Sequence, residues 1–488
     1  MIETGWLSIL PPLIAIALAL ITKEVYSSLF IGIISGMLIY AFSGGGNIFS
    51  AAAMTFDMMS SKIADNAYMI IFLALLWAVV SLVSKSGGSR AYGRWAGARL
   101  KSKRSAGFAT SLLGILIFID DGFNCLTVGT VMRPITDRLR ISREKLAYII
   151  DATAAPVCII APVSSWAVAV ASEVSEKNGF NVFLSTIPYN FYALMTILMV
   201  FLISFTGRDF GPMRKAEEAA KSIAIEDKDD TDTTENKGHV LDLVLPIAVL
   251  VVCAILGMAY VGGFFSGVSF SEAIGYNPTA GLSLGAFAGL LCALLLYLPR
   301  KIMKPREFME SIVSGIGNIV PPMLILILSW SLGGVCRQLI GTGVFISGFV
   351  NGSGLPFGLL PFLIFVIAAL MSFSMGTSWG TFSMLIPIVT MICDTEAAGA
   401  LLIPALGATL AGSVYGDHCS PISDTTILAS TGADCKHIRH VETQLPYATL
   451  VAIVCAIGYL IAGYMNTPYV ALIIATVILV GAIFILSK

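Results

Sequence analysis

The feature that most constrains this chain is a succession of apolar runs, most of them near the ~20 helical residues that cross a bilayer. They fall near 6–22, 25–42, 66–84, 146–172, 182–206, 240–261, 279–298, 321–341, 398–430, 444–465 and 467–487. Charge is too scarce to surround them with soluble surface. Only 12% of the 488 residues are charged, and 29 Lys+Arg against 30 Asp+Glu give a net charge of -1. Soluble domains carry ~25% charged residues, and a balanced charge gives no grip on nucleic acid. Cysteines such as Cys158, Cys253, Cys292 and Cys455 sit in apolar runs without CxxC spacing, which argues against a disulfide or zinc scaffold. The first run lacks a basic flank and a small-residue cleavage site, so a retained helix is expected rather than a signal peptide. The expected fold is an all-α polytopic membrane protein.

Two segments do not fit simple spanning. Residues 106–134 are broken at Asp120, Asp121, Gly122 and Asn124, leaving arms of about 14 and 11 residues that at 1.5 Å per residue fall short of ~30 Å of hydrocarbon. Lys85, Arg90, Arg94, Arg99, Lys101, Lys103 and Arg104 precede the segment, and Arg133, Arg138, Arg140, Arg143 and Lys145 close it. Basic loops stay on the cytoplasmic side, so the segment is expected to enter and return as a re-entrant hairpin. Residues 356–392 break in the same manner at Ser372, Ser374, Gly376, Thr377, Ser378 and Gly380. Their flanks, 338–357 and 386–398, hold no Lys or Arg and are expected outside.

That contrast exposes an internal repeat. Trp77 and Trp330, Gly88 and Gly341, and Pro134 and Pro387 are each 253 positions apart, and the register resumes at 259, setting 161–165 opposite 420–424. Equivalent loops are basic in one half and uncharged in the other, which predicts two inverted repeats. The first covers 1–206, with hairpin 106–134 and broken helix 146–172. The second covers 240–466, with hairpin 356–392 and broken helix 398–430. Between them, 207–239 is rich in Glu and Asp (Glu217, Glu218, Glu226, Asp227, Asp229, Asp230, Asp232, Glu235) and is expected to be a solvated cytoplasmic linker. An extra span at 467–488 completes about 11 spans plus two hairpins, with the C-terminus cytoplasmic and the N-terminus external.

Polar residues at hydrocarbon depth cost ~2.5–3.5 kcal/mol each when charged, so those that persist are the site candidates. They form four clusters: Asp120, Asp121 and Asn124 at the first tip; Ser374, Thr377 and Ser378 at the second; Ser164 and Ser165 in the first broken helix; and Asp417, His418, Ser420, Ser423, Asp424, Thr425 and Thr426 in the second. Pro162 and Pro421 each remove a backbone donor and favour an unwound segment. Bare carbonyls, hydroxyls and carboxylates there suit a small cation, and half-helix N-termini suit an anionic group. Adjacent residues on a helix point apart, so one of Asp120 and Asp121 is expected to bind the ion while the other caps the returning arm. Asp151 stands at a span mouth and is expected to cap a helix or pair with a basic loop. His418 is expected to be a hydrogen-bond partner, Arg337 to be interfacial, and Trp77 and Trp330 to pack. Asp121, Asp417, Ser423 and Asp424 are the expected Na+ ligands. Na+ and H+ competing for one buried carboxylate is enough to produce exchange. With no nucleophile–base arrangement and no Walker A motif, an enzyme or ATP-driven pump is not expected. Na+ and H+ would be transported or coupling ions, with no cofactor.

The string Gly416, Asp417, His418, Cys419, Ser420, Pro421, Ile422, Ser423, Asp424, Thr425, Thr426 resembles the NhaC-type Na+/H+ antiporter family of the ion-transporter superfamily. The stretches 118–124 and 132–137 are similar to its first-half counterparts, and the resemblance covers nearly the whole chain except the acidic linker and the last span. It implies inverted repeats meeting at mid-membrane, often with elevator-like movement, and a prokaryotic inner membrane. Relatives in that family resemble malate/lactate exchangers and Na+-coupled amino-acid carriers. An amino acid or small organic acid therefore remains an alternative cargo, and a homodimer remains open.

Overall fold

A computed structural model describes residues 2, 4–174, 179–222, 238–345, 356–395 and 398–487. Helices of nine or more residues build it. The first half contains α1 Leu10–Thr22, α2 Val25–Ser43, α3 Ile48–Asp65, α4 Ala67–Lys85, α5 Gly88–Arg99, α6 Lys103–Leu116, α7 Asp121–Arg138, α8 Arg143–Thr153, α9 Ser165–Glu173 and α10 Phe191–Thr206. After α11 Gly211–Ser222, the second half contains α12 Val240–Val261, α13 Pro278–Tyr297, α14 Pro305–Asn318, α15 Val320–Gly334, α16 Leu360–Met375 and α17 Ser378–Cys393. It closes with α18 Leu402–Cys419, α19 Asp424–Gly432, α20 His437–Met465 and α21 Pro468–Leu486.

Among the described residues, 11 helices are long and apolar enough to cross a membrane. The number agrees with the sequence expectation, but the membership does not. Residues 146–172 drop out because the helix breaks after Thr153 and resumes only at Ser165, with one short turn between. Phe357–Met375 enters instead: the first arm of the second hairpin is 19 residues with mean hydropathy 2.3, long enough to span. The two hairpins are therefore unequal, since α6 has 14 residues and starts with Lys103 and Arg104.

Among the described residues, α2–α4 and α6–α9 have counterparts in the same order in α13–α15 and α16–α19, and packing details follow them. In lipid, helices associate through close van der Waals contact, which small residues permit. A Cβ on Gly32 of α2 would lie 2.9 Å from Ala15 of α1, and one on Gly285 of α13 would lie 2.5 Å from Ala254 of α12. Gly32 and Gly285 are again 253 positions apart, as are Gly36 and Gly289. The next layer crosses between halves: α4 packs on α13 and α14, while α15 packs on α2 and α3. Toward the short, broken elements, α15 packs on α17 and α9, and α4 on α7 and α9.

Residues 223–237 of the acidic stretch lie outside the described residues, but its beginning is not a solvated linker. α11 folds back onto the protein. Asp209 is buried and pairs with Lys145 at 2.7 Å. Glu217 is buried too, accepting from Ser142 N at 2.6 Å and Lys103 Nζ at 3.1 Å. Carboxylates that enter a packed surface need such partners, and the basic loops supply them.

Candidate functional site

Each short helix begins at a break, and each break is closed by a side-chain cap. Asp120 has extended backbone and its Oδ1 accepts from Phe123 N at 2.9 Å, capping α7. Thr377 does the same for α17 through Gly380 N at 3.3 Å. Ser164 caps α9 through Ala167 N at 3.1 Å, and Ser423 caps α19 through Thr426 N at 3.3 Å. The cap falls to Asp120, and Asp121, 8% exposed, is left to face Trp166 of α9.

The breaks are held together in pairs. Ile119 O accepts from Ser165 N at 3.2 Å, joining the first tip to the first broken helix. At the second tip Gly376 adopts φ +69, a left-handed conformation that glycine takes without cost. A side chain there would also meet Ile422 O at 2.7 Å, so the second tip abuts the second broken helix. Contacts then cross between halves. α7 lies against α19 so closely that a Cβ on Gly129 would be 2.5 Å from Gly432. Cys125 Sγ approaches Thr425 O at 3.8 Å. On the other diagonal, Trp166 of α9 packs on Trp379 and Phe382 of α17 with ring centroids 5.7 and 5.6 Å apart.

Asp417, in the last turn of α18, is 3% exposed. Its Oδ2 accepts from Ser378 Oγ at 2.7 Å, while its Oδ1 is buried without a partner. Asp121 lies within electrostatic reach of both Asp417 and Asp424. A buried carboxylate oxygen with no donor, beside a second acid, favours a cation or a proton. Among the described residues no three His, Cys, Asp or Glu side chains converge as a metal cage. A cation held here would draw on hydroxyl and carbonyl oxygens as well as carboxylates.

The remaining sequence candidates sort by their contacts. Asn124 is fully buried, its Nδ2 donating to Gly114 O, Ile117 O and Thr153 O at 2.6, 3.0 and 3.1 Å, and only its Oδ1 is uncommitted. That ties the hairpin arms to each other and to α8. Ser164 Oγ also donates to Cys158 O and Ala161 O, which closes the first break. Ser420 is buried, with Oγ facing Ile422 N at 3.4 Å, and Thr425 pairs with Ser423 at 3.1 Å. Asp424, by contrast, is exposed and faces Tyr26 at the start of α2. It reaches the protein surface, whereas Asp417 is enclosed.

Asp151 departs most from its expected role. It is fully buried and meets no basic loop among the described residues. Its Oδ2 accepts from Gln444 Nε2 at 2.6 Å and Thr426 Oγ1 at 3.3 Å, and pairs with His440 Nε2 at 3.3 Å. His418 Nε2 stands 3.8 Å from Oδ1, and its Nδ1 meets Tyr192 OH at 3.2 Å. His418 is thus a hydrogen-bond partner, but of Asp151 and Tyr192. Sequence reasoning missed His440 and Gln444: starting the span at 444 left His440 outside it and put Gln444 at its very start. Their i, i+4 spacing on one helix face was the available signal. Glu173 was missed as well: it is buried at the end of α9, accepting from Ser329 Oγ at 3.0 Å. Of the packing residues, Trp330 donates Nε1 to Ser172 Oγ at 3.2 Å, and Arg337 is half-buried, donating to Pro387 O at 3.3 Å.

Three comparisons place this architecture. An uncharacterised protein of Haemophilus influenzae is 38% identical over 99% of this chain and 95% of its own length. The malate-2H(+)/Na(+)-lactate antiporter of Bacillus subtilis is 31% identical over a shorter region, 38% of either chain. The crystal structure of the Alcanivorax borkumensis YdaH transporter shares the fold, with a TM-score of 0.58 at 12% identity across 86% of this chain and 90% of that one. The family model described as Na+/H+ antiporter family matches residues 167–464, more than half of the sequence. The chain is therefore a multi-pass secondary transporter and belongs to the NhaC-type Na+/H+ antiporter family.

Proposed function

We propose that the chain exchanges Na+ for H+, with the two ions competing for Asp417 where the second broken helix meets the second hairpin tip. The observation that carries this is the Asp417 carboxylate itself: enclosed, held by Ser378 through Oδ2, and bare at Oδ1. Asp121 supplies a second negative charge within reach, and Ser423 and the surface carboxylate Asp424 complete the oxygen set. Each ion displaces the other, so the site moves loaded with one or the other and does not leak. The two repeats, 1–206 and 240–466, are inverted in this reading, and the core they enclose moves like an elevator against the surrounding helices. The chain sits in a prokaryotic inner membrane with a cytoplasmic C-terminus and an external N-terminus.

Proteoliposomes with an imposed Na+ gradient and no other solute test this directly. Proton movement that follows the Na+ gradient is the expected result. A second reading, Na+-coupled exchange or symport of a small organic acid, has its support in the likeness to the malate-2H(+)/Na(+)-lactate antiporter over 190 residues. If protons stay still until labelled malate, lactate or an amino acid is supplied, that reading replaces the first.

A further inference from the structure

Asp151 is not used by the exchange reaction as just described, yet it is built like a working group. It is fully buried, and no described Lys or Arg lies within ion-pair distance. Its two oxygens are treated unequally. Oδ2 is surrounded by Gln444, Thr426 and His440, whereas Oδ1 has no donor. Facing Oδ1 at 3.8 Å is His418 Nε2, itself buried and without a hydrogen-bond partner. The tautomer of His418 decides what faces Oδ1: with the ring proton on Nε2 the imidazole donates toward Asp151, and with it on Nδ1, shared with Tyr192 OH, two acceptors confront each other. A proton on Oδ1 turns that confrontation into a donor–acceptor pair and neutralises a carboxylate that is costly to bury.

The surroundings connect this group to the ion site. Its partners come from α18, α19 and α20, and Asp417 directly precedes His418 in the chain. The titratable groups that face Asp151 are Tyr148 on its own helix, Cys125 of α7, Asp417, His418 and Cys419 of α18, and His440 of α20. Asp417 is within electrostatic reach of Asp151, so charge placed at one is felt at the other through a medium of low dielectric constant.

We infer that Asp151 is a second proton-binding site, separate from Asp417, which takes a proton on Oδ1 and loses it when Na+ occupies the Asp417 site. The step is a plain proton transfer: the O–H bond of the carboxylic acid breaks, the proton leaves to solvent, and the Na+ charge replaces the proton's in the shared field. Linkage makes this reciprocal, since a proton on Asp151 weakens Na+ binding by the factor with which Na+ weakens proton binding. The inference rests on the exchange reading and adds to it a proton that does not share the Na+ ligand.

The test uses the purified full chain in lipid nanodiscs under weak buffer, with protons counted as NaCl is added and choline chloride as the control. The wild type is expected to release more protons per bound Na+ than Asp151→Asn, by about one in the pH range where Asp151 is protonated. Asp151→Asn should still bind Na+, with an affinity that varies less steeply with pH. Equal proton release and an equal pH slope in the two proteins overturn the inference while leaving exchange at Asp417 intact. A wild type that binds Na+ but releases no proton overturns both readings. If Asp151→Asn does not fold, Gln444→Met serves instead. Removing a donor from the ionised carboxylate favours its protonated form, so the proton release should move to higher pH. An unmoved profile removes Asp151 as the proton site.

Discussion

At the first hairpin tip Asp120 caps the returning helix, and at the second Thr377 does so, with φ of -152 and -150 respectively. The residue after each cap faces the interior, and there the tips part: Asp121 brings a carboxylate, Ser378 a hydroxyl. The broken helices differ in the opposite sense. The first offers Ser164, absorbed in closing its own break, and Ser165, which bonds to Ile119 O of the first tip, while the second offers Asp417 with an uncommitted oxygen. Charge therefore sits at the first tip and the second break, with Asp121 of α7 within electrostatic reach of Asp417 of α18. Four breaks share one kind of side-chain cap, and the proposed cation site draws on the carboxylates beside two of them.

The largest effect should come from separating the two carboxylates of the second broken helix. Asp417→Asn is expected to weaken Na+-driven exchange by roughly 100-fold or more, the consequence of removing a buried charged ligand. Asp424→Asn should cost much less, because Asp424 is exposed. Transport assays on both variants, with expression and monodispersity checked, decide the matter. Equal losses would return Asp424 to the centre of the site.

How much of this was legible in the sequence follows from what each signal measures. The location of both breaks was readable because proline and glycine act locally, through lost donors and permitted torsions. The helix breaks in 106–134 and 356–392 are both present, yet the unequal length of the arms before them was not read, since the break in 356–392 masks the 19 apolar residues preceding it. The carboxylates were found as residues out of place in apolar runs. Their ranking was not available, because exposure of Asp424 and enclosure of Asp417 depend on which helices pack across the break. Asp151 was misassigned for the same reason: its partners Thr426, His440 and Gln444 lie nearly three hundred residues away.

A smaller effect should separate the two tips. Ser378→Ala removes the donor to Asp417 Oδ2. A hydrogen bond to a charged group contributes ~1.5–3 kcal/mol, so Na+ affinity should fall by roughly 10- to 100-fold. Thr377→Ala alters only the cap of α17 and should leave affinity nearly unchanged. Isothermal titration of Na+ into both proteins measures the contrast. A Thr377→Ala loss as large as that of Ser378→Ala would mean the whole tip, and not one hydroxyl, sets the site.

The smallest effects test whether the two caps are equivalent in stability as they are in geometry. Loss of a capping side chain costs about 1 kcal/mol, and Asn caps a helix about as well as Asp. Thr377→Ala should therefore lower the thermal transition of the detergent-solubilised protein modestly, whereas Asp120→Asn should leave it in place. Asp120→Asn should also retain Na+ binding, because the Asp120 carboxylate is committed to Phe123 N and Asp121 carries the charge that reaches Asp417. If Asp120→Asn keeps its stability but loses Na+ binding, the charge of Asp120 matters beyond the cap. The division of labour between the two neighbouring acids would then have to be reversed.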